Sequence, residues 1–155
     1  TIPDQAILEG FEAARWPARL QPVLWWGQPL LLVGAHNLPA AEALRQELDQ
    51  GEANEREHCW VLGVLANKPA PAMVRALLAP SDRAWLVPVP EHPCWSLEAL
   101  LAEAPALAGR LWASPSLAEA LSAATASADG GVVVVAGSLY LIGALIGSGA
   151  LQQSG

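Results

Sequence analysis

Three short segments pair a residue that lets the backbone turn tightly with a side chain that can donate, accept or carry charge. They are Val33-Gly34-Ala35-His36-Asn37, Leu65-Ala66-Asn67-Lys68-Pro69 and Ala136-Gly137-Ser138. Glycine or alanine permits the reversal, and an Asn or Ser just beyond it can accept a backbone N–H at the start of a helix. Such starts carry unpaired N–H groups and the positive end of the helix dipole, which attract phosphates and carboxylates. His36 stands in a tight loop among small residues, where an imidazole has little to pack against, so contact with a ligand is its stronger reading. Asn37 and Ser138 fit two roles, plain helix capping or ligand contact, and their types alone leave both open. Lys68 is the single lysine of the chain and falls in the second of these segments.

Other chemistries have no foothold. There is no Gly-x-x-x-x-Gly-Lys-Ser/Thr loop and no Gly-x-Gly-x-x-Gly fingerprint, so neither usual cradle for nucleotide phosphates is present. No Gly-x-Ser-x-Gly elbow and no cluster with metal-ligand spacing occurs. The net charge of -7 argues against nucleic acid, which needs clustered Lys and Arg. Cys59 and Cys94 lie in apolar stretches without Cys-x-x-Cys spacing and are expected as reduced core thiols of a cytoplasmic protein. His58 and His92 stand alone and are expected at the surface. The acidic run from Glu52 to Glu57 suits a solvated loop, and the seven tryptophans suit core or interface anchors.

The elements that must position the three segments follow from periodicity. With 53% hydrophobic and 15% charged residues in 155, the chain can build the core of one domain. Residues 1–18 form a lead-in with Ile7, Leu8 and Phe11 at helical spacing. Leu20 to Trp26 and Pro29 to Val33 read as strands joined by a hairpin turn at Gly27-Gln28. A helix follows from Pro39 to Gln50 with Ala41, Leu44 and Leu48 on one face. The alternation continues with a strand Cys59–Leu65, a helix Ala70–Ala79, a strand Ala84–Val89 and a helix Leu97–Ala104 stopped by Pro105. A strand at Leu111–Ala113 precedes a helix Ser116–Ala126 capped by Ser114 or Ser116. The last pair is a strand Val132–Val135 and a helix Leu139–Ile146. Val132 to Leu151 is long enough to cross a bilayer, but Ala136-Gly137-Ser138 divides it, and a buried strand with a packed helix is the better reading. No basic and apolar leader begins the chain. The expectation is an α/β three-layer domain: a mostly parallel sheet, an antiparallel N-terminal hairpin and helices on both faces. Ligands of such sheets bind beyond the carboxyl ends of the strands, where all three segments fall.

Four motifs occur in order along this plan: Trp16-Pro17-Ala18-Arg19-Leu20-Gln21, Gly34-Ala35-His36-Asn37, Gly63-Val64-Leu65-Ala66-Asn67-Lys68 and Gly137-Ser138-Leu139-Tyr140. Together with Val87-Pro88-Val89-Pro90 they resemble the C-terminal domain of folylpolyglutamate and dihydrofolate synthases, of the Mur-type ligase family. The resemblance spans Ile2 to about Gly147. It implies a Rossmann-like α/β fold and an ATP-dependent ligase that adds glutamate to dihydropteroate or folates, with the ATP and Mg2+ held mainly by a preceding P-loop domain of the same protein. The C-terminal domain would close over ATP and help bind glutamate, with no catalytic residue and no metal site of its own. By match, Arg19, His36, Asn37 and Lys68 would face nucleotide and phosphates, and Ser138 and Tyr140 the glutamate. The implied protein is a monomer without nucleic-acid or membrane partners.

Several positions depart from the family pattern, and each loses a charge. Val33 stands where an Asp is usual before Gly-Ala-His-Asn, and Gln21 replaces an acid. Asn67-Lys68-Pro69 replaces Asp-Lys-Asp, and Cys94 follows Pro93 in place of an Arg. A second reading follows from them: a ligase-type domain that keeps the fold as a non-catalytic binding or regulatory module.

Overall fold

The computed structural model describes residues 21–50, 57–128 and 131–153. The expected lead-in 1–18, Arg19 and most of the acidic run lie outside the described residues. The elements are β1 (Gln21–Trp25), β2 (Gln28–Val33), α1 (Leu38–Gln50), β3 (His58–Gly63), α2 (Ala70–Leu77), β4 (Arg83–Leu86) and α3 (Leu97–Glu103). A 3-10 turn (Pro105–Leu107), β5 (Leu111–Ala113), α4 (Leu117–Ala128), β6 (Val132–Gly137), α5 (Leu139–Gly147) and β7 (Leu151–Gln153) complete them.

All the described strands join one sheet in the order β5-β4-β3-β6-β2-β1-β7. The five strands from β5 to β2 run parallel, and β1 pairs antiparallel with both β2 and β7. β6 is therefore central, which its Val132-Val133-Val134-Val135 run demands, because β-branched side chains on both faces need cover on both faces. Val134 and Ala136 face a cluster with Ala41, Leu44 and Leu48 of α1 and Met73, Val74 and Leu77 of α2. Val133 and Val135 face the other cluster, with Ala120, Leu121 and Ala124 of α4 and Leu141, Ile142 and Leu145 of α5. Each fully buried leucine contributes about 1.5–3 kcal/mol of transfer free energy, so these two layers hold the sheet. The expected α/β class, parallel sheet, N-terminal hairpin and two covered faces are all present.

Four details differ from the sequence reading. The hairpin turns one residue earlier than Gly27-Gln28, because Trp25 pairs with Gln28 and leaves Trp26 and Gly27 as the loop. Both take positive φ, 48° and 80°, as a two-residue turn matching the strand twist requires. Gly27 adopts that geometry freely, whereas Trp26 is strained in it and 75% exposed. Trp26→Asn is accordingly expected to raise the stability of the domain by about 0.5–1 kcal/mol, read from the urea midpoint; a lower midpoint would show that the indole contributes more than the turn costs. The expected last strand is followed by β7, an edge strand pairing Leu151 with Trp25. His58 is buried, not superficial, and the six described tryptophans divide: Trp60 is in the core, while Trp26 and Trp112 are exposed. Cys94 is half-buried in a loop rather than in the core. Both cysteines are free, and burial pushes the Cys59 thiol up from its ordinary pKa, which makes it inert.

Candidate functional site

The parallel register aligns the carboxyl ends of β2, β6 and β3: Val33 pairs with Ala136, and Gly63 with Gly137. The loops carrying His36 and Asn37, Ser138, and Lys68 therefore leave one edge of the sheet. The helices that follow β2 and β3 pack on one face and the helix that follows β6 on the other. The chain thus parts on either side of β6, and in open parallel sheets such a parting opens the crevice where ligands bind. Gln21 pairs with Leu32, so the chain enters the described fold at this same edge.

Close backbone contact shapes the centre of the edge. Gly137 has φ 116°, and a Cβ there would run into the Gly63 carbonyl oxygen. A Cβ on Gly63 would meet Leu141 Cδ2 at 2.8 Å and Val89 Cγ2 at 3.1 Å. With both side chains absent, the Ser138 N–H donates to the Gly63 carbonyl at 2.8 Å. Ser138 is 3% exposed, and its Oγ accepts the Tyr140 N–H at 3.0 Å. Asn37 Oδ1 accepts the Ala40 N–H at 2.8 Å. The capping role left open in the sequence is thus present at both residues, and it leaves further lone pairs on each oxygen for another donor.

His36 is half-buried, with Nδ1 3.3 Å from the Gly34 carbonyl oxygen. Lys68 is half-buried in a turn where its N–H donates to the Leu65 carbonyl and its own carbonyl accepts Trp95 Nε1–H at 2.8 Å. The Lys68 loop is stitched to the loop after β4 by Ala66 N–H to the Pro93 carbonyl at 2.9 Å and Trp95 N–H to the Val64 carbonyl at 3.0 Å. Tyr140, on the first turn of α5, is 48% exposed. Its ring stacks on His92 with centroids 3.9 Å apart and planes at 19°. The sequence offered no sign of that pairing, since loop and helix are distant in the chain and His92 carries no motif.

A mostly apolar pocket of about 380 Å³ adjoins this edge between α4 and α5, lined chiefly by Pro88, Pro90, Leu121, Leu141 and Leu145. Its two serines are already engaged: Ser116 Oγ caps α4 at Glu119, and Ser148 Oγ bonds the Leu145 carbonyl. Among the described residues no group of three His, Cys, Asp or Glu side chains comes together as metal ligands. No described helix is long and apolar enough to cross a membrane.

The profile of the dihydrofolate synthetase C-terminal domain matches residues 25–148. The chain belongs to that family. This synthetase-type domain is also 35% identical over 145 residues to the folylpolyglutamate synthase of Lacticaseibacillus casei, an alignment covering 91% of the chain and 31% of that relative. It is similar in structure to the Mycobacterium tuberculosis folylpolyglutamate synthase complexed with ADP and AMPPCP, at 25% identity and a TM-score of 0.74, covering 99% of this chain and 37% of that one. The ligand-free bifunctional folylpolyglutamate synthase/dihydrofolate synthase of Yersinia pestis matches at 26% identity and a TM-score of 0.70, over 96% of this chain and 35% of that one. The synthetase-type domain thus spans about a third of the length of these relatives.

Proposed function

We propose that this domain closes over ATP in a cytoplasmic, monomeric ligase that joins glutamate to dihydropteroate or folates. The observation that carries the reading is the family match over residues 25–148, on a sheet whose carboxyl edge gathers His36, Asn37, Lys68, Ser138 and Tyr140. In such a reaction ATP phosphorylates the substrate carboxylate, the glutamate amine attacks the acyl phosphate, and inorganic phosphate leaves. A P-loop domain of the same protein, preceding this one, would hold the triphosphate and its Mg2+. The described residues here bring together no carboxylate cluster for the metal, and no step is assigned to it on this domain.

The residue types at the edge suit the remaining tasks. An imidazole and an ammonium can bind phosphate oxygens as charge moves onto them, as can the guanidinium of Arg19, which lies outside the described residues. Ser138 and Tyr140, at the N-terminus of α5, can bind a glutamate carboxylate through hydroxyl and backbone donors. Nothing in this requires the isolated domain to turn over, and it is expected to be inactive alone.

One observation favours the second reading, a non-catalytic module. Val33, where the family pattern has an acid, is 1% exposed and packed in the cluster of α1 and α2. The deciding measurement is ADP release by the complete protein with Mg-ATP, glutamate and either dihydropteroate or tetrahydrofolate. Release that needs both glutamate and a pterin substrate is the expected result. ADP release indifferent to both, or none at all, would leave the module as the function.

A further inference from the structure

We infer that His92 is a positioning residue for Tyr140, fixing the phenol at the mouth of the glutamate subsite; this rests on the ligase reading above. The loop that presents His92 is built with unusual constraint for a surface segment. Glu91 holds φ 64°, a left-handed conformation costly for a residue with a Cβ and maintained only where the surroundings impose it. Pro88, Pro90 and Pro93 restrict the same stretch. The His92 N–H donates to the Val89 carbonyl at 3.3 Å, and the Val89 N–H reaches Cys94 Sγ at 3.5 Å.

The ring itself is held from the side. His92 Nδ1 lies 2.8 Å from the Pro90 carbonyl oxygen, and with the proton on Nδ1 this contact holds the plane of the imidazole. Its face then lies on Tyr140 at 3.9 Å. The Tyr140 backbone N–H is the one that Ser138 Oγ accepts, so the stack bears on the same helical turn that presents Ser138. Tyr140 remains 48% exposed, so the phenol stays half-open beside the stack. What it supplies is orientation. A phenol with a half-open environment would otherwise sample several rotamers, and each carboxylate bound there would have to select one.

An aromatic pair of this kind is worth roughly a two- to tenfold change in an equilibrium constant. In the complete protein, His92→Ala is therefore expected to raise the KM for glutamate by about that factor, with the KM for ATP unchanged. His92→Phe, which keeps a ring over Tyr140, should restore the glutamate KM to near the wild-type value. Tyr140→Ala should show a comparable loss, and the double variant His92→Ala/Tyr140→Ala no further one, because the two act as a unit. A wild-type glutamate KM in His92→Ala, equal losses toward glutamate and ATP, or a failed rescue by Phe would overturn the assignment while leaving the ligase reading intact. Glutamate-independent behaviour of the wild-type protein would overturn both.

Discussion

Replacing His36 by alanine in the complete protein is expected to slow ATP-dependent glutamate addition roughly a hundredfold or more. His36 leaves the sheet three residues after β2, beside the parting of the chain around β6, and its ring is half-buried. In a closed, water-poor cleft a single charge-assisted bond to a phosphate oxygen is worth about 2–4 kcal/mol in the transition state. Each 1.36 kcal/mol is a factor of about ten in rate. The alternative role, packing within the Gly34–Asn37 loop, would give a different signature. A purely structural role, the ring held within its own loop with Nδ1 3.3 Å from the Gly34 carbonyl oxygen, would lower the thermal midpoint without selectively lowering kcat. Steady-state kinetics with folate, glutamate and Mg-ATP, alongside the thermal midpoint, separate the two. Equal rates in wild type and His36→Ala would remove His36 from the nucleotide site. If neither protein turned over, Val33→Asp would be the variant to try for rescue.

The order of elements was legible because its signals are local. The Val132–Val135 run announces a strand covered on both faces, and Ala41, Leu44 and Leu48 mark the buried stripe of α1. The three turn segments are local as well, and the parallel register then brings them to one edge without further information. What escaped the sequence depends on partners far apart in the chain. β7 has one apolar residue, and its identity as a strand comes from the open edge of β1. His92 gains meaning only where α5 delivers Tyr140 beneath it. His58 looked superficial because polar residues at strand entrances usually are, and nothing near it in sequence shows what surrounds it. Asp82, in the turn Pro80-Ser81-Asp82-Arg83, reads as an ordinary exposed turn acid. It is 1% exposed.

Asp82→Ala is expected to destabilise the domain by about 3–5 kcal/mol, a large part of the 5–15 kcal/mol typical of a single domain. The carboxylate sits at the amino edge of the sheet, opposite the candidate site, between the first residues of β3 and β4. Oδ1 accepts the His58 backbone N–H at 3.0 Å. Oδ2 accepts Trp60 Nε1–H and the Ala79 N–H, both at 3.0 Å, and Arg45 Nη1–H at 3.2 Å. Removing it strands these donors together, and the core indole of Trp60 has no water to turn to. The His58 ring lies 3.8 Å away, beyond hydrogen-bond reach, and neither of its nitrogens has a hydrogen-bond partner. Burial alone would raise the Asp82 pKa. The donors from Ala79, Trp60 and the His58 backbone outweigh that and lower it from 3.8 to about 2. A depressed carboxyl stabilises the fold fully above its ordinary value, and that contribution fades as pH falls from about 4 through about 2. The linkage is worth about 2 kcal/mol. Urea unfolding from pH 6 down to pH 2 should therefore show wild type losing stability more steeply than Asp82→Ala below pH 4, the two curves converging in acid. Parallel curves would mean that the Asp82 carboxyl titrates at its ordinary value in the folded domain, and that its four donors do not favour the charged form.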